Sequence, residues 1–265
     1  MNQSLSYIHP DAKLASNVVV GPFVYIEKNV EIAEGTWIGS NVAIMEGARI
    51  GKNCRIFPGA VVSAIPQDLK FAGEETLVRI GDNVTIREFV TVNRGTIANW
   101  ETVVGNNTLL MAYAHIAHDC IVGNNCILAN GTNLAGHIIV DDFAIIGGLS
   151  AVHQFVRIGT HAIISGGSLV RKNVPPYTKA AREPLSYAGI NSVGLRRRGF
   201  SSGKIIEIQE IYRHIYLKNL SVSHALLAIE KEFPESNERN EILSFIKQSK
   251  RGIMKGYTSI YDKRG

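Results

Sequence analysis

The chain has 265 residues, 45% of them hydrophobic, and a formal charge of +5. That is enough apolar content for a large core, yet no apolar run approaches the roughly 18 residues of a membrane span, and the charge is modest for nucleic-acid binding while suiting an acidic protein partner. The opening stretch MNQSLSYIHPDAK has no charged segment leading into an apolar one, so no secretory signal and a cytoplasmic location are expected.

From Ile8 to Val170 every sixth position is almost always Ile, Leu or Val: 25 of 28, the exceptions being Asp68, Glu74 and Ala98. A helix repeats at about 3.6 residues and a half-buried strand at about 2, so a strict six predicts a hexapeptide-repeat parallel β-helix. Four residues after each aliphatic stands a small or β-branched residue, among them Val24, Val30, Thr36, Val42, Ala48, Cys54, Cys120, Cys126 and Thr132. The aliphatic would fill the prism and the small residue pack near its corner. The three cysteines read as buried small side chains. Glycines directly after the aliphatic, such as Gly21, Gly39, Gly105 and Gly147, are expected, with Asn, to supply turn positions that need positive φ.

In chain order, regular hexads run from Ile8 to Val62. A first excursion, 63–79, holds Gln67-Asp68-Leu69-Lys70, and a second, 94–103, follows Val92. Hexads then continue unbroken from Val104 to Val170, and Pro175-Pro176 is expected to end the coils. The β-helix is placed at 1–190. Residues 191–265 read as a small helical C-terminal region, with Ser201 or Ser202 and then Ser221 as candidate caps and Pro234 as a stop. Its apolar content is too thin to stand alone, so it should pack on the solenoid or on a neighbouring subunit.

Every third hexad returns to the same face, so Ile116, Leu134 and Val152 stack. Their turns carry His118, His137 and His153, and His115 precedes Ile116. Four of the eight histidines are thus expected along one edge, where imidazoles suit proton transfer. Asp119 is a candidate to orient His118, and Gly136 to present a backbone N–H to a developing oxyanion. With no Ser or Cys at a nucleophile position in this column, direct attack by a substrate hydroxyl is the simpler chemistry.

The strings His115-Ile116-Ala117-His118-Asp119-Cys120, Gln67-Asp68-Leu69-Lys70, Leu134-Ala135-Gly136-His137, Ala151-Val152-His153-Gln154-Phe155 and Gly194-Leu195-Arg196-Arg197-Arg198-Gly199-Phe200 together resemble the UDP-N-acetylglucosamine O-acyltransferase family that begins lipid A synthesis. The resemblance implies a left-handed parallel β-helix, a homotrimer with sites between subunits, and no cofactor or metal. It also implies transfer of a 3-hydroxyacyl group from acyl carrier protein to the sugar 3-hydroxyl of UDP-N-acetylglucosamine. His118 matches the general base, Asp119 its carboxylate support and Gly136 the oxyanion donor. Asp68, Lys70, His115, His137 and Gln154 match sugar and phosphate contacts, and His153 a residue near the donor. Asn191, Arg197 and Arg198 match contacts to the nucleotide end. Val193 replaces a Glu that holds the nucleotide in a relative, so uridine recognition is expected to differ in detail. Gly166 matches the position limiting acyl length, and its openness implies long chains, about 14 carbons or more, with pocket length worth roughly 1–3 kcal/mol per methylene. Arg196–Arg198, with Lys247, Lys250 and Arg251, are candidate contacts to the acidic carrier. The alternatives are another hexapeptide acyltransferase, N-acyl or CoA-dependent, a zinc hydratase on the same fold using interface histidines, and a non-catalytic binding solenoid.

Overall fold

The structure, a computed structural model, describes residues 5–218 and 220–256. Short strands, most of them two residues long and ending on the repeating aliphatic, stack into three sheets of nine, eight and eleven strands, all pairings parallel but one. The register advances by three hexads per coil where the repeat is unbroken, as in His115↔Asn133↔Ala151 and Ile116↔Leu134↔Val152. Three parallel sheets repeating every three hexads make this the left-handed parallel β-helix expected.

The prism interior holds the aliphatic column, with Ile26, Ile44, Ile56, Ile86, Ile116 and Leu134 all fully buried. The small column does more than fill corners. Thr36 and Thr108 hydroxyls donate to the carbonyls of Gly51 and Gly123, each at 2.9 Å. The Cys54 and Cys120 thiols do the same to Gly81 and Ala135, both at 3.1 Å. A buried polar group must find a partner, and here a carbonyl of the stacked coil supplies it. Burial pushes the thiols of Cys120 and Cys126 up to about 12, so they stay protonated donors rather than nucleophiles.

The turn glycines differ from expectation. Gly21, Gly105 and Gly147 do not have positive φ; a Cβ on them would lie 2.9, 2.6 and 2.4 Å from backbone atoms of the next coil. They are glycine because stacked coils approach there. Positive φ falls instead three residues after the aliphatic, where Asn29, Asn53, Asn107, Asp119, His137, Phe155 and His161 all adopt it. A left-handed residue costs roughly 1–2 kcal/mol if it is not glycine, a strain the stacked coils carry at each corner.

Pro175-Pro176 does not end the coils. Val174 bridges Ile158, and strand Thr178–Ala181 extends the third sheet by pairing with Ile163–Ile164. Strand Ser186–Ile190 then adds antiparallel, and Lys255–Gly256 pairs with it. Between them lie helices α1 (Ser192–Arg197), α2 (Ser202–Tyr216), α3 (Val222–Glu232) and α4 (Asn237–Gln248). Asn191, Ser201, Ser221 and Ser236 cap them, each accepting from a backbone N–H in the first turn. Their apolar faces close on Ile208, Ile211, Tyr212, Ile229, Ile242 and Phe245. The bundle docks on the last coils through the Tyr212 hydroxyl on the Pro176 carbonyl (2.6 Å), Lys172 on the Arg251 carbonyl (2.7 Å) and the Arg157 guanidinium over Phe245.

Candidate active site

Both excursions leave the same corner, the one joining the first sheet to the second. Val62 precedes the Asp68 loop and Val92 the second loop. The next three turns at this corner carry His118-Asp119, Gly136-His137 and Gln154-Phe155. Five consecutive coils therefore bring their longest loops and most titratable turns to one edge.

At its centre the His118 imidazole, 6% exposed, places Nδ1 2.8 Å from Asp119 Oδ2. The Asp119 side chain is wholly buried. Besides His118 it accepts the Thr96 N–H (2.9 Å), the Thr96 hydroxyl (2.7 Å) and the Asn99 N–H (3.2 Å). Its own N–H donates to the Thr102 hydroxyl at 2.8 Å. Burial alone would push the carboxyl up. The hydrogen bonds from His118 and Thr96, with the charge of His137, outweigh that and hold it below its ordinary value. An ionised Asp119 only accepts, so the shared proton sits on His118 Nδ1 and the lone pair on Nε2.

Nε2 lies over Gly136. A Cβ on Gly136 would be 2.6 Å from His118 Cε1 and 2.7 Å from Nε2, so glycine is what lets the ring lie there. The Gly136 N–H donates to no group of the described chain. One coil on, the His137 ring meets His118 edge-on at 5.0 Å and stacks on Phe155 at 4.6 Å, with Nδ1 3.8 Å from Asp119 Oδ2. Burial lowers the His137 imidazole, against the pull of Asp119 and, more weakly, of Asp68. That pull brings the first excursion's Asp68 within electrostatic reach of the histidines. Lys70 stands exposed beside it. His115 projects from the outer face of the first sheet, its Nδ1 2.7 Å from the Thr91 hydroxyl, and is lowered by burial and by His118.

The expected column of four histidines is thus a cluster of three. His153 follows its strand one position early, is exposed, and touches the Gln154 carbonyl rather than the other rings. Gln154 is exposed at the same edge, and Gly166 is exposed at a different corner, after the third sheet. Ligand atoms of His118, Asp119 and His137 lie within 4.8 Å of one another. The donor set does not fit a cation, however: His118 Nδ1 faces Asp119 as a proton donor, and both carboxylate oxygens already accept hydrogen bonds. Thr96, Asn99 and Thr102 had no signal beyond lying in the second excursion; Phe155 did, standing three hexads beyond His137.

The residues matched to the nucleotide end lie at the next corner, between the second and third sheets. Asn191, 7% exposed, caps α1 and donates from Nδ2 to the His161 carbonyl at 2.9 Å. Arg198 turns inward, donating to the Phe143 carbonyl and to His161 Nδ1, both at 3.0 Å, over the Phe143 ring. That leaves Arg196, Arg197 and Val193 exposed on α1, while Lys247 of α4 is paired with Glu230. His161 is sandwiched by Phe143 and Tyr177. Burial and then the Arg198 charge push it down from 6.5 to about 4. Across that window the unfolded chain binds more protons than the folded one, so stability falls as pH drops from 6.5 to 4. His161→Gln is expected to flatten this slope in melting temperatures taken across the window; an unchanged slope would remove His161 as its source.

The UDP-N-acetylglucosamine O-acyltransferase domain 2 family profile matches residues 173–254, and hexapeptide-transferase repeats match 101–136. The GMPPB C-terminal domain profile matches 3–103. The acyl-(acyl-carrier-protein)–UDP-N-acetylglucosamine O-acyltransferase of Trichlorobacter lovleyi is 54% identical over 253 residues, 94% of this chain and 97% of that one. Its namesake from a Sulfurihydrogenibium species is 59% identical over 93% of each. Among solved structures, the UDP-N-acetylglucosamine acyltransferase of Bacteroides fragilis is 52% identical, with a TM-score of 0.95 over 96% of this chain and 100% of that one. With coils, helical bundle and site edge all within the matched length, the chain belongs to the acyl-(acyl-carrier-protein)–UDP-N-acetylglucosamine O-acyltransferase family.

Proposed function

We propose that this chain transfers a 3-hydroxyacyl group from the thioester of acyl carrier protein to the 3-hydroxyl of UDP-N-acetylglucosamine, the first step of lipid A synthesis, with His118 as general base. One observation carries the mechanism: a buried imidazole whose Nδ1 is committed to a carboxylate held ionised by three further donors. Nε2 takes the hydroxyl proton as the sugar oxygen attacks the thioester carbonyl. The resulting oxyanion finds the unengaged Gly136 N–H. Collapse expels the carrier's thiolate, and the imidazolium returns the proton to sulfur. Asp68, Lys70, His115, His137 and Gln154 bind sugar and phosphates, with His153 beside the donor.

The working unit is a homotrimer. Within one chain the histidine edge and the Asn191–Arg198 segment occupy different corners, so a neighbouring copy supplies the nucleotide end to each catalytic edge. Exposed Ile121 and Ile139 on the outer face of the second sheet, beside that edge, support such packing. Arg196 and Arg197 supply positive charge for the nucleotide and for the acidic carrier.

The test is acyl transfer to UDP-N-acetylglucosamine from carrier proteins bearing 3-hydroxyacyl chains of graded length. Transfer peaking at long chains is the expected result; a folded trimer inactive with every donor would overturn the reading. Gly166→Met is expected to move the peak to shorter chains. Its Cβ would stand 3.0 Å from the Gly148 carbonyl oxygen, a tight contact with the backbone of the stacked coil, so melting temperatures taken alongside separate strain from a shortened groove. An unmoved peak would take Gly166 out of the acyl path.

A further inference from the structure

The second excursion has a task that the reaction as proposed leaves unassigned. We propose that Thr96 is a positioning residue for the acyl transfer: its hydroxyl and N–H clamp the Asp119 carboxylate, and through it set the direction and basicity of the His118 imidazole. This rests on the general-base reading above.

The geometry is specific. Thr96 is 7% exposed and addresses both carboxylate oxygens, its N–H reaching Oδ1 at 2.9 Å and its hydroxyl Oδ2 at 2.7 Å. Oδ2 is the same oxygen that receives His118 Nδ1, so the threonine hydroxyl and the imidazole share one acceptor. Asn99 completes the clamp, with its N–H on Oδ1 and its side-chain amide on the Asp119 carbonyl, each at 3.2 Å. The loop that carries both is itself braced. Its Gly95 carbonyl accepts from the buried Thr76 hydroxyl at 2.6 Å, and its Trp100 carbonyl from the Leu77 N–H at 2.9 Å. Thr76 and Leu77 lie at the end of the first excursion, so the two loops and the Asp119 turn form one connected unit.

The direction of the effect follows from charge. A hydroxyl on Oδ2 draws off part of the negative charge that stabilises the His118 imidazolium. Without it Asp119 pulls harder on the proton, so His118 protonates at higher pH and less of the free base is present on the acid side. Orientation also suffers, because one of the two groups fixing Oδ2 is gone. The other charged groups facing the pair are His137, His115 and, through His137, Asp68; all remain in place when only Thr96 is changed.

The experiment compares wild type, Thr96→Val and Thr96→Ser in the full-length trimer. Thr96→Val is expected to lower kcat by about tenfold to a hundredfold, the range for losing a hydrogen bond to a charged group, with KM for UDP-N-acetylglucosamine little changed. The acid limb of its pH–rate profile should move to higher pH. Thr96→Ser, which keeps the hydroxyl, should restore rate and profile. Independently of turnover, an NMR titration of the His118 ring, assigned by its loss in His118→Ala, should show a raised midpoint in Thr96→Val. A midpoint coincident with wild type, or a serine variant as impaired as the valine one, would overturn the clamp. A wild-type enzyme without transfer, or one indifferent to loss of His118, would overturn the reaction or the base instead, while the titration still decides on Thr96.

Discussion

His118→Ala is expected to lower the rate of acyl transfer by about three orders of magnitude, within the range for removing a general base. The fold should survive. Asp119 keeps its two donors from Thr96 and one from Asn99, so the buried carboxylate is not orphaned, and the stability cost should be no more than about 1–3 kcal/mol. Initial rates with a long-chain 3-hydroxyacyl carrier protein, alongside thermal melting, separate the two effects. A folded variant retaining most of its activity would leave the family reaction standing and remove His118 as base. Because the imidazole acts in the chemical step, the loss should fall on kcat.

Gly136→Ala should be nearly as damaging, for a reason no chemical inventory of the site shows. The added methyl would lie under 3 Å from His118 Cε1 and Nε2, and a ring edge can swing aside more readily than the backbone can move. The variant should therefore fold while its imidazole is displaced from the lane in which Nε2 works. Misplacement by about an ångström costs on the order of a hundredfold, and kcat for acyl transfer should fall accordingly even though the Gly136 N–H is still present. Unchanged kcat would mean that the His118 position seen here is not the reactive one. A fall matched by a collapse in melting temperature would place the role of Gly136 in folding rather than chemistry.

How far the site was readable can be followed along its own residues. His118, Asp119, Gly136 and His137 were legible because they lie in uninterrupted hexads, where three hexads of sequence equal one coil of height. The same rule placed His153 in the right stack but not in the cluster. A hexad turn points successive side chains in different directions, and the period says nothing about which one meets a neighbour. The first excursion spans a single corner, Val62 to Ile80, and so does the second, Val92 to Val104. Both spacings are multiples of six, so the aliphatic phase resumes after each loop even though Asp68, Glu74 and Ala98 break it inside, and the count of hexads conceals that both loops rise from the histidine edge. Thr96 and Asn99 were invisible for this reason: within the loop no repeat ties them to Asp119.

The sequence by itself determined the β-helix, because one aliphatic every six residues can be buried together only if the chain turns at every sixth position. It determined the edge where His118, Asp119, Gly136 and His137 gather, because the coil register is locked to that repeat. It also carried α2 and α3 of the C-terminal bundle, through the caps Ser201 and Ser221 and the apolar spacing behind them. The tertiary structure decided what repetition leaves open. It set which imidazole faces the buried carboxylate, which loop ionises that carboxylate, and which glycine exists for a ring rather than for a backbone angle. It turned Arg198 inward onto Phe143 and His161 and set the Asn191–Arg198 segment at a second corner. The reason is physical: hydrogen bonds and ring contacts between excursions and distant coils depend on side-chain direction over a few ångströms, and a six-residue period fixes height and face but not direction.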